Sequence, residues 1–106
     1  MAGAPRVSLI VAGTFRVPPE NVEPLRPHMR DVTEATRLEE GCIVYSYGED
    51  MGDPGLIRVF EVWRDQACLD AHFVSAHMKQ WQADRAAFGL HDRRISAYEV
   101  SGERQL

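Results

Sequence analysis

Residues 39–81 read EEGCIVYSYGEDMGDPGLIRVFEVWRDQACLDAHFVSAHMKQW. Two runs rich in β-branched and aromatic residues, Cys42–Gly48 and Leu56–Trp63, flank a Gly/Asp/Pro turn around Asp50–Gly55. They pair most simply as an antiparallel hairpin with a long loop. Asp65 follows in an N-cap position, ahead of a short helix carrying Leu69, His72 and Phe73. Ser75 can cap a second helical stretch with Met78, Trp81, Arg85 and Phe88 on one face, and Gly89 breaks it.

Working outward, Val7–Val17 reads as a strand that Pro18-Pro19 stops. It follows Arg6 and is faintly like a signal peptide, but it is very short and no small-residue cleavage site follows. Val22, Leu25, Met29, Val32 and Thr36 recur at spacings of three and four, which marks one helical face. Pro24 fits a first turn capped by Asn21, whereas Pro27 would cost a backbone bond and moves the expected start of the regular helix nearer itself. Gly41 is expected to end that helix as a C′ glycine. Arg94–Val100 reads as a last strand, and Ser101–Leu106 is a polar tail. The order β-α-β-β-α-β is the split βαβ, ferredoxin-like plan, an α+β fold with an antiparallel sheet. One domain is expected over residues 1–106, with its core over about 6–100.

The strand Leu56–Trp63 carries a second inference. Ile57, Val59, Glu61 and Trp63 alternate with Leu56, Arg58, Phe60 and Val62, so both faces are largely apolar. A sheet with one wet face should instead alternate with polar residues. Helices cover one face, and a second copy of the same sheet is the economical cover for the other. A chain of 106 residues also buries only about two-thirds of its unfolded surface, so an oligomer would help it.

A formal net charge of −4 and the absence of any basic cluster argue against a nucleic-acid partner. No segment is long enough to span a membrane, so no membrane partner is expected. Cys42 and Cys68 read as reduced thiols of a cytoplasmic protein, though a single bridge stays open.

Several residues carry possible chemistry. Trp63 is either a core aromatic or a wall on which a flat ring stacks. His72 is the first choice for handling a proton, because imidazole titrates near working pH, and His77 is the second. The two are five apart, so on one continuous helix they diverge. No metal site is expected on that spacing. Glu61, in an apolar strand, must be paired, protonated or facing a cavity. An ion pair with Arg58, Arg93 or Arg94 is the structural reading; a bond to His72 or to substrate is the functional one. Tyr45 and Tyr47 share a strand face, and either could offer its hydroxyl to a ligand. Met78 and Trp81 are core residues by spacing that could also roof a pocket. Neither a phosphate-binding glycine loop nor a dinucleotide fingerprint is present, and no cofactor is expected.

Glu40-Gly41-Cys42, Tyr45, Glu61-x-Trp63, Leu69-x-Ala71-His72, Ser75 and His77-Met78-Lys79 resemble the small antibiotic-biosynthesis-monooxygenase family, its quinol-monooxygenase branch above all. The resemblance implies a dimeric α+β barrel formed by sheet-to-sheet packing. It implies a homodimer that oxidises a small aromatic substrate, a quinol or polycyclic hydroxyarene, with O2 and no cofactor. Trp63 and His72 would then be catalytic, with Tyr45, Tyr47, Glu61, His77, Met78 and Trp81 around the substrate. The haem-degrading branch would want a tryptophan at His72 and a histidine near Gln82, and the anthrone-oxidising branch an asparagine at Val59 and a tyrosine at Leu69. This chain has neither set. Similar sequences include an isomerase of a small phosphorylated signalling metabolite, and a non-catalytic small-molecule-binding dimer is the further alternative.

Overall fold

The structure, a computed structural model, describes residues 9–106. In chain order come β1 (Leu9–Arg16), a single 3-10 turn (Pro19–Asn21), α1 (Val22–Thr36), β2 (Cys42–Glu49), β3 (Leu56–Trp63), α2 (Gln66–Phe73), α3 (Ala76–Ala87) and β4 (His91–Glu99). The strands form one antiparallel sheet of order β2-β3-β1-β4. This is the ferredoxin-like arrangement expected from the order of elements. Among the described residues, no helix is long and apolar enough to cross a membrane.

Cross-strand partners share a face, so the register sorts the sheet's side chains. Tyr45, Glu61, Val11 and Ala97 form one row, and Tyr47, Val59, Gly13 and Ile95 form the next. These rows face the helices, where Phe15 and Tyr47 pack on Trp81 of α3. Val44, Val62, Ile10 and Tyr98 form a row on the opposite face, followed by Ser46, Phe60, Ala12 and Ser96. Among the described residues no helix covers that face; Phe60 and Tyr98 remain 44% and 56% exposed there, while Val62 is 7% exposed. Arg58 on the same face pairs with Asp50 at 2.8 Å.

Three boundaries differ from the sequence expectation, each for a physical reason. α1 starts at Val22 and runs through Pro27. Its buried stripe of Val22, Leu25, Met29, Val32 and Thr36 holds the turn despite the missing N–H. Asn21 makes no capping bond; its Nδ2 donates to the Phe88 carbonyl at 2.8 Å and ties the start of α1 to the end of α3. Gly41 is not the C′ residue, because α1 ends at Thr36 and a turn intervenes. Its positive φ of 80° instead turns the chain into β2, and a Cβ there would run into the Cys68 side chain. β4 begins at His91 rather than Arg94, because a register shift beside Thr14 lets Arg16 pair with His91. β1 begins at Leu9, and Val7 and Ser8 of the expected strand lie outside the described residues.

Candidate active site

The two helix caps read from the sequence set the site. Asp65 Oδ1 accepts from the Cys68 N–H at 2.9 Å and starts α2 beside the end of β3. Ser75 Oγ accepts from the Met78 N–H at 3.3 Å and starts α3, while its own O–H donates to the His72 carbonyl at 2.7 Å. The helix is therefore broken between His72 and His77. That break cancels the divergence their spacing would impose. His72 Nδ1 and His77 Nε2 both meet Glu39 Oε2, at 2.7 and 2.6 Å. Each ring donates an N–H to the one carboxylate oxygen. Neutral His72 is thereby left with Nε2 bare, and this atom is buried without a partner. Burial pulls the His72 pKa down, and Glu39 opposes that pull.

Glu39, His72 and His77 bring three ligand-capable atoms within 4.8 Å of one another. The spacing argument against such a group does not survive the break between α2 and α3. The two short hydrogen bonds account for the grouping as it stands.

Trp63 lies behind this triad. Its ring packs on His72 with centroids 4.9 Å apart. On its other side its Nε1–H donates to Glu61 Oε1 at 2.8 Å. Glu61 is 7% exposed, and burial raises its pKa, opposed by the Trp63 hydrogen bond and by the charge of Arg93. Among the described residues, Glu61 has no cation within ion-pair distance, so the expected pairs with Arg58, Arg93 or Arg94 do not form.

Glu61 opens onto a cavity of about 260 Å³ between the sheet and α2 and α3. Phe15, Val59, Phe73, Met78 and Ile95 give it apolar walls. Tyr47, Glu61, Arg85, Arg93 and Ser96 are its polar and charged residues. The Tyr47 hydroxyl lies 2.8 Å from that of Tyr45, and burial pushes its pKa up to about 12. Tyr47 is therefore a neutral hydroxyl at any ordinary working pH.

Of the residues singled out in the sequence, Tyr47, Glu61 and Met78 line this cavity. Trp63, His72, Tyr45 and Trp81 do not: all four are buried in the layer behind it. His77 does not line it either. Sequence reasoning missed Glu39 and Arg85 as contributors and named Arg93 only as a structural partner for Glu61. Glu39 stands in the turn after α1, where no periodicity marks it. Arg85 was visible as a cation on the apolar face of α3, four residues from Trp81 and three from Phe88. Arg93 sits on an edge strand whose pattern does not alternate.

The model of a family described as antibiotic biosynthesis monooxygenase matches residues 8–84. An uncharacterized Synechocystis protein is 36% identical over 98 residues, covering 92% of this chain and 67% of that protein. A Bacillus subtilis protein named as a candidate monooxygenase, YcnE, is 25% identical over 75 residues, covering 71% and 79%. A solved structure of a candidate antibiotic biosynthesis monooxygenase from Deinococcus radiodurans superposes with a TM-score of 0.85 at 26% identity, over 92% of this chain and 97% of that one. Taken with the sheet order, these matches make the chain a member of the antibiotic biosynthesis monooxygenase family.

Proposed function

We propose that this chain is a monooxygenase that oxidises a hydroxyarene with O2 and uses no cofactor. The observation that carries the reading is the cavity, with a carboxylate of raised pKa set among apolar walls. An apolar cavity of about 150 Å³ takes benzene, so about 260 Å³ has room for fused rings. The substrate supplies every electron. A phenol with a free para C–H reacts with O2 to give the para-quinone and water. One oxygen atom becomes the new carbonyl and the other leaves as water, so four electrons pass from the ring to O2.

The protein's part is to bind the ring, take the phenolic proton and keep bulk water out. Glu61 is the group best placed to take that proton, because its oxygen faces the cavity and its raised pKa makes it a stronger base. Trp63 holds the carboxylate through Nε1, and the Tyr47 hydroxyl can donate to the phenolate oxygen. His72, the first choice on sequence grounds, acts in this reading through Trp63, whose ring it supports. A homodimer joined through the uncovered sheet face is part of the same reading.

The test is oxygen uptake with a panel of naphthols that keep a free C–H para to the hydroxyl, each corrected for autoxidation. Glu61→Gln is expected to lower the excess rate by roughly 10²–10⁴-fold, the usual contribution of a general base. Absence of any excess over autoxidation counts against the oxygenase for those substrates. A second reading, an isomerase of a small phosphorylated metabolite, gains support from Arg85 and Arg93, the cations such a substrate needs.

A further inference from the structure

Arg85 and Arg93 have no role in proton removal, and their surroundings do not explain them. Both residues line the cavity, Arg85 half-buried on α3 and Arg93 exposed on β4. The other arginines with ion pairs meet carboxylates: Arg16 meets Asp53, Arg26 meets Glu49, Arg58 meets Asp50, and Arg64 meets Glu40 and Asp65. Among the described residues, neither Arg85 nor Arg93 makes an ion pair or a side-chain hydrogen bond. The two repel one another, and burial together with Arg93 lowers the Arg85 pKa. A half-buried cation held near a second one, with no ion pair of its own, is costly.

The charge balance points the same way. The cavity's titratable lining groups are Glu61, Tyr47, Arg85 and Arg93. With Glu61 ionised and Tyr47 neutral, the lining carries one excess positive charge. Moving a phenolic proton onto Glu61 makes a phenolate but does not alter that total. A phenol alone therefore leaves one guanidinium uncompensated through the whole proton transfer. A substrate bearing one further negative charge balances it.

We propose that the cavity's aromatic substrate carries an anionic group, a carboxylate or a phosphate ester, that is held by Arg85 and Arg93 while the hydroxyl end of the ring faces Glu61. Guanidinium groups suit this task because their planar N–H forks match carboxylate and phosphate oxygens. The apolar walls between, Phe73 and Met78, take the ring. This inference rests on the hydroxyarene reading for its orientation but not for its charge selectivity.

The test is calorimetric titration of the purified full chain under anaerobic conditions, so that no turnover is needed. The ligands are 1-naphthol, 5-hydroxy-1-naphthoate, 1-naphthyl phosphate and glycerol phosphate. The hydroxynaphthoate is expected to bind about tenfold or more tighter than 1-naphthol at low salt, as a charge-assisted contact would give. Arg85→Gln with Arg93→Gln should bring that ratio close to one, and Arg85→Lys should keep part of it. Comparing ligands on the wild type keeps the test valid if a variant folds poorly. The relative affinities of the two aryl anions decide between carboxylate and phosphate. Equal affinity of naphthol and hydroxynaphthoate overturns the inference, even where oxygen uptake is observed. Glycerol phosphate binding as tightly as the aryl anions also overturns it, in favour of a non-aromatic phosphate ligand. Preferential binding of the aryl anion without any oxygen uptake leaves the anion site standing and removes the oxygenase.

Discussion

Glu61 is the residue on which stability and chemistry meet. Its pKa is raised from the ordinary 4.5 chiefly by burial, so the folded state holds its proton more tightly than the unfolded chain. That preference favours folding below the unfolded value and is lost as pH rises through the folded value. Glu61→Gln keeps an acceptor for Trp63 Nε1 but cannot ionise. The melting temperature of this variant, minus that of the wild type, should therefore grow as pH rises above the ordinary 4.5. A difference that shrinks over that range sinks the assignment. His72 shows the opposite sign. Burial lowers its pKa from 6.5, so its contribution is complete above that value and falls away as pH drops toward the folded pKa. Glu39 and His77 face it from the turn after α1 and from α3, with Trp63 and Tyr45 on the sheet side. The melting temperature of the wild type relative to His72→Phe should thus decline below about pH 6.5. Side-chain identity made Glu61, His72 and Trp63 legible in the sequence, because a carboxylate in an apolar strand and a histidine beside an N-cap are local signals. Their depth was not legible. Which of two adjacent aromatic layers meets a cavity depends on the helix break at Ser75, and no spacing reports that angle.

At the scale of elements, the caps and the β-branched and aromatic runs bounded by a turn were enough to give β2, β3, α2 and α3 nearly to the residue. The signals there are short-range: a carboxylate or hydroxyl accepting an N–H three residues on, and local strand and turn preferences. α1 was harder, because two opposing effects share it. Pro27 removes a helical N–H and the apolar stripe restores the balance, and a sequence shows both without their weights. Pro27 is exposed, so Pro27→Ala should restore the missing bond without disturbing packing. We expect it to raise stability by roughly 1–3 kcal/mol, read as a higher melting temperature. A lower melting temperature would mean that the rigid ring is worth more in the unfolded chain than the bond is in the folded one. β4 was placed late for a different reason. It is an edge strand with both faces largely open, so its residues lack alternation, and only the bulge at β1 reveals where it starts.

On the whole-molecule scale the chain has one covered sheet face and one open one. Val44, Val62, Ile10 and Tyr98 run straight across the open face, with Phe60 in the next row. Apolar rows of this kind on a monomer mark an interface. A second copy brought up face to face would bury them against their own equivalents, as a two-fold interface requires. The expected outcome is a dimer by sedimentation at micromolar concentration. Phe60→Asp, which puts a charge in the middle of that face, should shift the species toward monomer. Burial against a partner stabilises the fold by mass action, so the wild-type melting temperature should rise with protein concentration. The Asp variant should melt lower, and its melting temperature should depend less on concentration. The cavity lies on the other face of the sheet, so the monomeric variant also separates assembly from binding. A wild type that sediments as a monomer, with a melting temperature independent of concentration, would leave the open face without the partner argued for it.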